Sequence, residues 1–164
     1  MDIIVGGATG LVGQEILEVL EELGPQETKV IPAASERSVD KHITFRDESI
    51  PVVSFAQAIN TGARFAIFSA GSDVSREWAK KYTEKGITVI DNSSAWRMNP
   101  DVPLVVPEVN THHILKEHKI IANPNCSTIQ MVVALAPLHK AFGIKRIVVS
   151  TYQSVSGSGL AGIE

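Results

Sequence analysis

The chain has 164 residues, 44% of them apolar and 20% charged, with a formal net charge of −3. This is enough for one packed domain and excludes a disordered or low-complexity chain. The mild acidity argues against a nucleic-acid or membrane-surface binder, and no apolar run reaches the roughly 18–20 residues of a membrane span.

The N-terminus enters at once into Asp2-Ile3-Ile4-Val5 with no charged leader region, so no secretory signal is expected. From there, β-branched runs predict strands at 2–6, 28–33, 65–69, 87–91, 119–122 and 144–153, and helices at 11–23, 73–84 and 126–140 alternate with them. Such alternation is the pattern of a parallel sheet with crossover helices. In the first helix Leu11, Ile16, Leu17, Leu20 and Leu23 make one apolar stripe, and Gly24-Pro25 stops it. In the second, Val74, Trp78 and Tyr82 recur every four residues. Residues 129–138 are apolar nearly all round, which predicts a buried helix. Residues 34–55 mix polar residues with short β-like pieces, and 92–118 read as an irregular excursion carrying Pro100, Pro103 and Pro107. The end, Ser156 to Glu164, reads as a glycine-rich turn opening a helix that stops about one turn later, so the chain is expected to be a fragment.

Between the first strand and the first helix stands Gly6-Gly7-Ala8-Thr9-Gly10-Leu11-Val12-Gly13, with Gly7, Gly10 and Gly13 spaced G-x-x-G-x-x-G. Early glycines permit a tight turn and close backbone approach to a pyrophosphate; a later one lets the helix pack on the strand. The helix N-terminus then offers free N–H groups and a positive dipole end. An ordinary strand-to-helix turn would use glycine too, but the position favours a dinucleotide. Cofactor choice is read after the second strand, where Ser35-Glu36-Arg37-Ser38 follows. Arg37 with Ser35 and Ser38 beside it suits a 2′-phosphate and favours NADP. Glu36 competes with that reading, since a carboxylate there accepts the ribose hydroxyls of NAD.

The single cysteine, Cys126, cannot form an internal disulfide and fits a reducing, cytoplasmic setting. It follows the strand end Ile120-Ile121-Ala122-Asn123 and the turn Pro124-Asn125, and it opens the third helix. A thiol there feels the positive end of the helix dipole, which stabilises the nucleophilic thiolate. A base is harder to find. His139 lies 13 residues along the same helix, about 20 Å away at 1.5 Å per residue. His42, His112, His113 and His118 stand in polar loop contexts and form no recognisable metal cluster, so no metal site is expected.

These motifs together resemble the N-terminal half of the aspartate-β-semialdehyde dehydrogenases. The resemblance runs over essentially the whole chain: GGATGLVG at 6–13, SERS at 35–38, FSAGS at 68–72, IDNSSAWRM at 90–98, VPLVVPEVN at 102–110, NPNCST at 123–128 and STYQSVSGSG at 150–159. It implies a Rossmann-like, doubly wound, mostly parallel α/β sheet over residues 1–125. Residues 126–164 would begin a second, α+β catalytic and dimerisation domain.

The implied reaction is the NADPH-dependent reductive dephosphorylation of L-aspartyl-4-phosphate to L-aspartate-4-semialdehyde. It would serve the biosynthesis of lysine, diaminopimelate, threonine and methionine. Cys126 would carry the acyl-thioester, Gln153 would position the acyl group or its oxyanion, Asn125 would contact substrate and Arg97 would bind the phosphate. A neutral amide suits an oxyanion and a fixed guanidinium suits a phosphate. Thr9, Gly10, Leu11 and Val12 would hold the pyrophosphate, and Arg37 and Ser38 the 2′-phosphate. Ser69, Ala70 and Gly71 would line the path toward the nicotinamide, and Ser156 and Gly157 would close on the cofactor. The full-length protein would be a cytoplasmic homodimer or homotetramer acting on a small acyl phosphate or semialdehyde and on phosphate, without nucleic acid or membrane.

The family's general-base histidine and substrate-carboxylate arginine lie in the other half, so this chain alone is expected to bind cofactor without turning over. Two alternatives stay open: the sister N-acetyl-γ-glutamyl-phosphate reductase, which would be expected to carry glycine in place of Asn125, and a non-catalytic nucleotide-binding module. One departure is noted. Many members place a glycine soon after SxRS, whereas Val39-Asp40 follow here, and Asp40 near a phosphate is mildly repulsive.

Overall fold

A computed structural model describes residues 1–155. Strand β1 (Asp2–Gly6) leads through helix α1 (Leu11–Leu23) to β2 (Lys29–Ala34), as the apolar stripe and the Gly24-Pro25 stop require. A hairpin of β3 (His42–Phe45) and β4 (Glu48–Pro51) follows, then the short β5 (Val53–Ser54) and one-turn α2 (Phe55–Ala58). Next come β6 (Phe65–Phe68), α3 (Ser72–Glu84), β7 (Thr88–Asp91), the one-turn α4 (Pro107–Asn110), β8 (Ile120–Ala122) and α5 (Cys126–Phe142).

Six strands form one sheet in the order β5-β2-β1-β6-β7-β8, and every neighbouring pair is parallel. The chain winds outward from β1 through β2 to β5, then returns to the other side of β1 for β6, β7 and β8. The direction of winding therefore reverses at β1. Ligands of such sheets bind beyond the carboxyl ends of the strands at that reversal.

Both faces of β1 are covered, which is why Ile3-Ile4-Val5 shows no polar alternation. Ile4 enters a core with Phe55, Phe68, Tyr82, Val89 and Trp96, while Val5 enters a second core with Leu17, Ile43, Phe45 and Val52. The hairpin turns on Arg46 and Asp47, both at positive φ (50° and 64°), as two-residue hairpin turns demand. Arg46 then reaches back to the end of α1, donating to the carbonyls of Gly24 (3.2 Å), Pro25 (2.9 Å) and Gln26. This hairpin is the part of 34–55 whose mixed composition gave only β-like fragments.

Two expectations are corrected. Residues 144–153 form no strand: the segment runs exposed, except for half-buried Ile144, with no neighbouring strand to complete a ladder among the described residues. Helix α5 forms as predicted, but no residue of it is buried. Its apolar residues Ile129, Met131, Val132 and Leu135 are only half-buried, with the one-turn α4 packed against it. The excursion at 92–118 is irregular as read, yet part of it serves the sheet. Val105 donates to the Ala122 carbonyl (3.0 Å) and Ala122 to that of Pro103 (2.9 Å), so the loop covers the outer edge of β8. No helix among the described residues is long and apolar enough to cross a membrane.

Candidate dinucleotide and thiol site

Because all six strands run parallel, the segments that leave β1, β2, β6, β7 and β8 emerge on one edge. These are the glycine turn at 7–13, Ser35–Ser38, Ser69–Gly71, Asn92–Arg97 and Asn123–Cys126. The topology thus brings the nucleotide motif and the cysteine to the same side. With neighbouring strands about 4.8 Å apart, β1 and β8 lie roughly 14 Å from each other across β6 and β7.

The glycine turn is built for close approach. Gly7 has φ +83°, and a Cβ on it would stand 2.5 Å from the carbonyl oxygen of Ser69. Gly13 lies so close to the Gly7 carbonyl that any side chain would collide with it, which locks α1 onto the turn. Gly7 and Ala8 donate to the Ala33 carbonyl (2.8 and 3.2 Å), and the Gln14 side chain donates from Nε2 to the Ala8 carbonyl (2.6 Å). The N-terminus of α1 has no side-chain cap and no acidic residue in its first turn. Its leading N–H groups therefore stay available to an anion. An uncapped, glycine-lined helix start fits a pyrophosphate.

A cavity of about 620 Å³ opens beside this turn. Of the predicted cofactor residues, Gly7, Thr9, Gly10, Ser35, Ser69 and Ala70 line it. Leu11 and Val12 occupy the exposed first turn of α1, and Gly71, at φ +88°, precedes α3. Arg37 and Ser38 sit in a 3-10 turn spanning Glu36–Ser38, outside the lining; Glu36 is within it. Arg37 is exposed and in no ion pair among the described residues. Ser156 and Gly157 lie outside the described residues.

The far wall is one that sequence reasoning missed: Phe55, Val74, Glu77 and Trp78. The rings of Phe55 and Trp78 stack at 5.9 Å with planes 25° apart. The signal was present in the Val74-Trp78-Tyr82 stripe, which reads equally well as core. Tyr82 is fully buried and donates its hydroxyl to the Phe55 carbonyl (2.9 Å), fixing that wall. Burial pushes its pKa well above the usual phenol range.

On the thiol side, Cys126 is the first residue of α5 and is exposed. Asn125 caps the helix: its Oδ1 accepts from the Ser127 amide (3.1 Å) and hydroxyl (2.5 Å). That leaves its Nδ2 for another partner. Arg97 is half-buried and donates from Nε to the Asn123 carbonyl (2.9 Å) and from Nη2 to the Asn92 carbonyl (3.0 Å). No carboxylate pairs with it among the described residues. Gln153 lies in the exposed segment after α5 and has no hydrogen bond to Cys126 among the described residues. His139 is held elsewhere, its Nδ1 accepting from the Ile144 amide (3.1 Å). The structure thus brings together the loops bearing Arg97, Asn125 and Cys126, and brings neither Gln153 nor a histidine to them.

The family model described as "Semialdehyde dehydrogenase, NAD binding domain" matches residues 2–117, and "Semialdehyde dehydrogenase, dimerisation domain" matches residues 135–164. The chain is 53% identical over 165 residues to the aspartate-semialdehyde dehydrogenase of Aquifex aeolicus, covering 99% of this chain and 48% of that protein. The crystal structure of aspartate semialdehyde dehydrogenase II from Vibrio cholerae complexed with ASA superposes with a TM-score of 0.90 at 46% identity, over 99% of this chain and 49% of that one. The Candida albicans aspartate semialdehyde dehydrogenase with NADP gives 0.75 at 28% identity, over 87% and 48%. The chain spans about half the length of the curated relatives it matches. With its parallel sheet, its glycine turn and a family match over residues 2–117, the chain belongs to the semialdehyde dehydrogenase family and carries that family's NAD binding domain.

Proposed function

We propose that this chain is the cofactor-binding half of a cytoplasmic, NADP-dependent aspartate-semialdehyde dehydrogenase, dividing after Asn125 into a dinucleotide-binding unit and the start of a catalytic unit. The observation that carries this is the shared sheet edge: the glycine turn and Cys126 both leave carboxyl ends of one parallel sheet, about 14 Å apart across three strand spacings. A dinucleotide seated at the β1 reversal can extend from the β2 loop toward β7 and β8. The aspartate-semialdehyde dehydrogenases of Aquifex aeolicus and Vibrio cholerae described above supply the substrate class.

Within this reading, Thr9, Leu11 and Val12 hold the pyrophosphate with backbone N–H groups, and Gly10, whose own N–H donates to the Gly7 carbonyl (2.9 Å), lets it approach closely. Ser35, Arg37 and Ser38 take the 2′-phosphate, and Ser69, Ala70 and Gly71 flank the path to the nicotinamide. Arg97 receives the substrate phosphate on the N–H groups its two backbone bonds leave free. The Sγ of Cys126 attacks the acyl carbon, the C–O bond to phosphate breaks, and an acyl-thioester remains on the cysteine. Asn125 Nδ2 donates to the acyl group, and Gln153 joins it once the segment after α5 is packed. NADPH, when bound, supplies the hydride that releases the thioester as aldehyde. The acid–base partner belongs to the remainder of the protein, and the homodimer or homotetramer interface lies largely there, in the domain that begins with the dimerisation-domain match over residues 135–164.

The test is the reverse assay on the full-length protein. With L-aspartate semialdehyde, phosphate and NADP⁺, NADPH is expected to form, and Cys126→Ala is expected to lower turnover by at least about 10³-fold while cofactor still binds. Formation of NADPH only from N-acetylglutamate semialdehyde would transfer the substrate assignment to the sister reductase.

A further inference from the structure

The carbonyls that hold Arg97 belong to two different strands. Asn92 follows β7 and Asn123 follows β8. A single guanidinium can donate to both carbonyls only if those strand ends keep a fixed spacing. The backbone ladder contributes one tie, since Asn123 N–H donates to the Asp91 carbonyl (2.8 Å). A second tie lies beyond it: Asn123 Nδ2 donates to Asn92 Oδ1 at 2.7 Å. Asp91 anchors the same loop from below, its fully buried carboxylate accepting from the Ser93 hydroxyl (2.7 Å), which in turn accepts from the Ala95 amide (3.1 Å).

We infer that the Asn92–Asn123 side-chain bridge is a positioning device that aims the Arg97 guanidinium at the anion site beside Cys126. The inference rests on the reading of Arg97 as the phosphate ligand, and it assigns a role to two side chains that hydrogen-bond each other across the two loops. Arginine has five N–H groups in a rigid fork. Two are spent on the paired carbonyls, so the fork cannot rotate, and its Nη1 edge is presented in one direction. Asn123 stands three residues before Cys126, so the same bridge that fixes the guanidinium also fixes where the α5 turn begins. Losing the bridge leaves the β7–β8 ladder from Val89–Ile120 to Asp91–Ala122 intact. The fold is therefore retained while the spacing of the two carbonyls relaxes.

The experiment is steady-state kinetics in the reverse direction on the full-length protein, with inorganic phosphate and NADP⁺ varied separately. Asn92→Ala and Asn123→Ala are each expected to raise the KM for phosphate about tenfold, with the KM for NADP⁺ and the thermal midpoint little changed. The double variant is expected to be no worse than either single, and neither change should add to Arg97→Ala. An unchanged KM for phosphate in both variants, additive effects in the double variant, or a parallel loss of phosphate affinity, NADP⁺ affinity and thermal stability would each overturn the inference. Arg97→Ala separates the two levels. If it leaves the KM for phosphate unaltered, the assignment of Arg97 itself is wrong. If it raises that KM while the asparagine variants do not, only the bridge is wrong.

Discussion

The parallel sheet and the segment from α5 onward are both rich in apolar residues and differ in what they do with them. In the sheet, Ile4, Val5, Phe68 and Val89 are at most 1% exposed. In and after α5, Phe142 and Val148 are each 82% exposed and no residue of the helix is buried. Burial needs a second layer as well as an apolar face, and among the described residues only the sheet has one. The nucleotide site is therefore assembled from parts already locked by packing. The thiol site is locked on its Arg97 side and open on its α5 side.

Amide hydrogen exchange on this chain sharpens the contrast most. Amides of β1, β6 and β7 are expected to exchange at least about 10³-fold more slowly than those in the second half of α5 and in 144–155. Equal protection in the two regions would break the comparison. Next in size is Gly7→Ala. It forces a side chain into a positive-φ position against the Ser69 carbonyl. It should destabilise by about 3 kcal/mol and lower NADP affinity by about a hundredfold, read by thermal melting and by titration with NADP⁺.

Arg37→Ala is smaller and more selective. Loss of an exposed arginine should weaken NADP about tenfold and leave NAD unaffected, because only the 2′-phosphate contact goes. An equal loss for both cofactors would place Arg37 elsewhere. Smallest is Tyr82→Phe, which removes the bond to the Phe55 carbonyl and should cost about 1 kcal/mol in chemical denaturation. It also carries a pH signature. The native hydroxyl keeps its proton above the range where an unfolded tyrosine loses it, so the unfolded state is favoured as pH rises past about 10. Stability should fall along that limb in the parent, and the fall should be shallower in Tyr82→Phe.

Much of the fold was legible because its signals are local. The stripe of α1, its Gly24-Pro25 stop and the β-branched runs each report a period or a break within a few residues. The glycine turn was legible for the same reason in part: Gly13 is demanded by the Gly7 carbonyl within the turn, whereas Gly7 is demanded by its positive φ and by the distant Ser69 carbonyl. What sequence reading missed depends on distant partners. Trp78 faces the cleft only because α2 brings Phe55 against it. Arg97 is held by Asn92 and Asn123, which lie 31 residues apart. The predicted strand at 144–153 fails for the complementary reason, since its β-branched residues are real but no neighbouring strand stands beside them among the described residues.

The central claim is that Cys126 is the acyl-bearing nucleophile facing a dinucleotide on one sheet edge. The most direct test is intact-mass and peptide mapping of the full-length protein mixed with L-aspartate semialdehyde and NADP⁺ without phosphate. The expected result is one equivalent of NADPH in a burst, with one aspartyl acyl group mapped to Cys126 and released by adding phosphate. A burst with the acyl group on another residue, or no burst from a protein shown to bind NADP⁺, would contradict it.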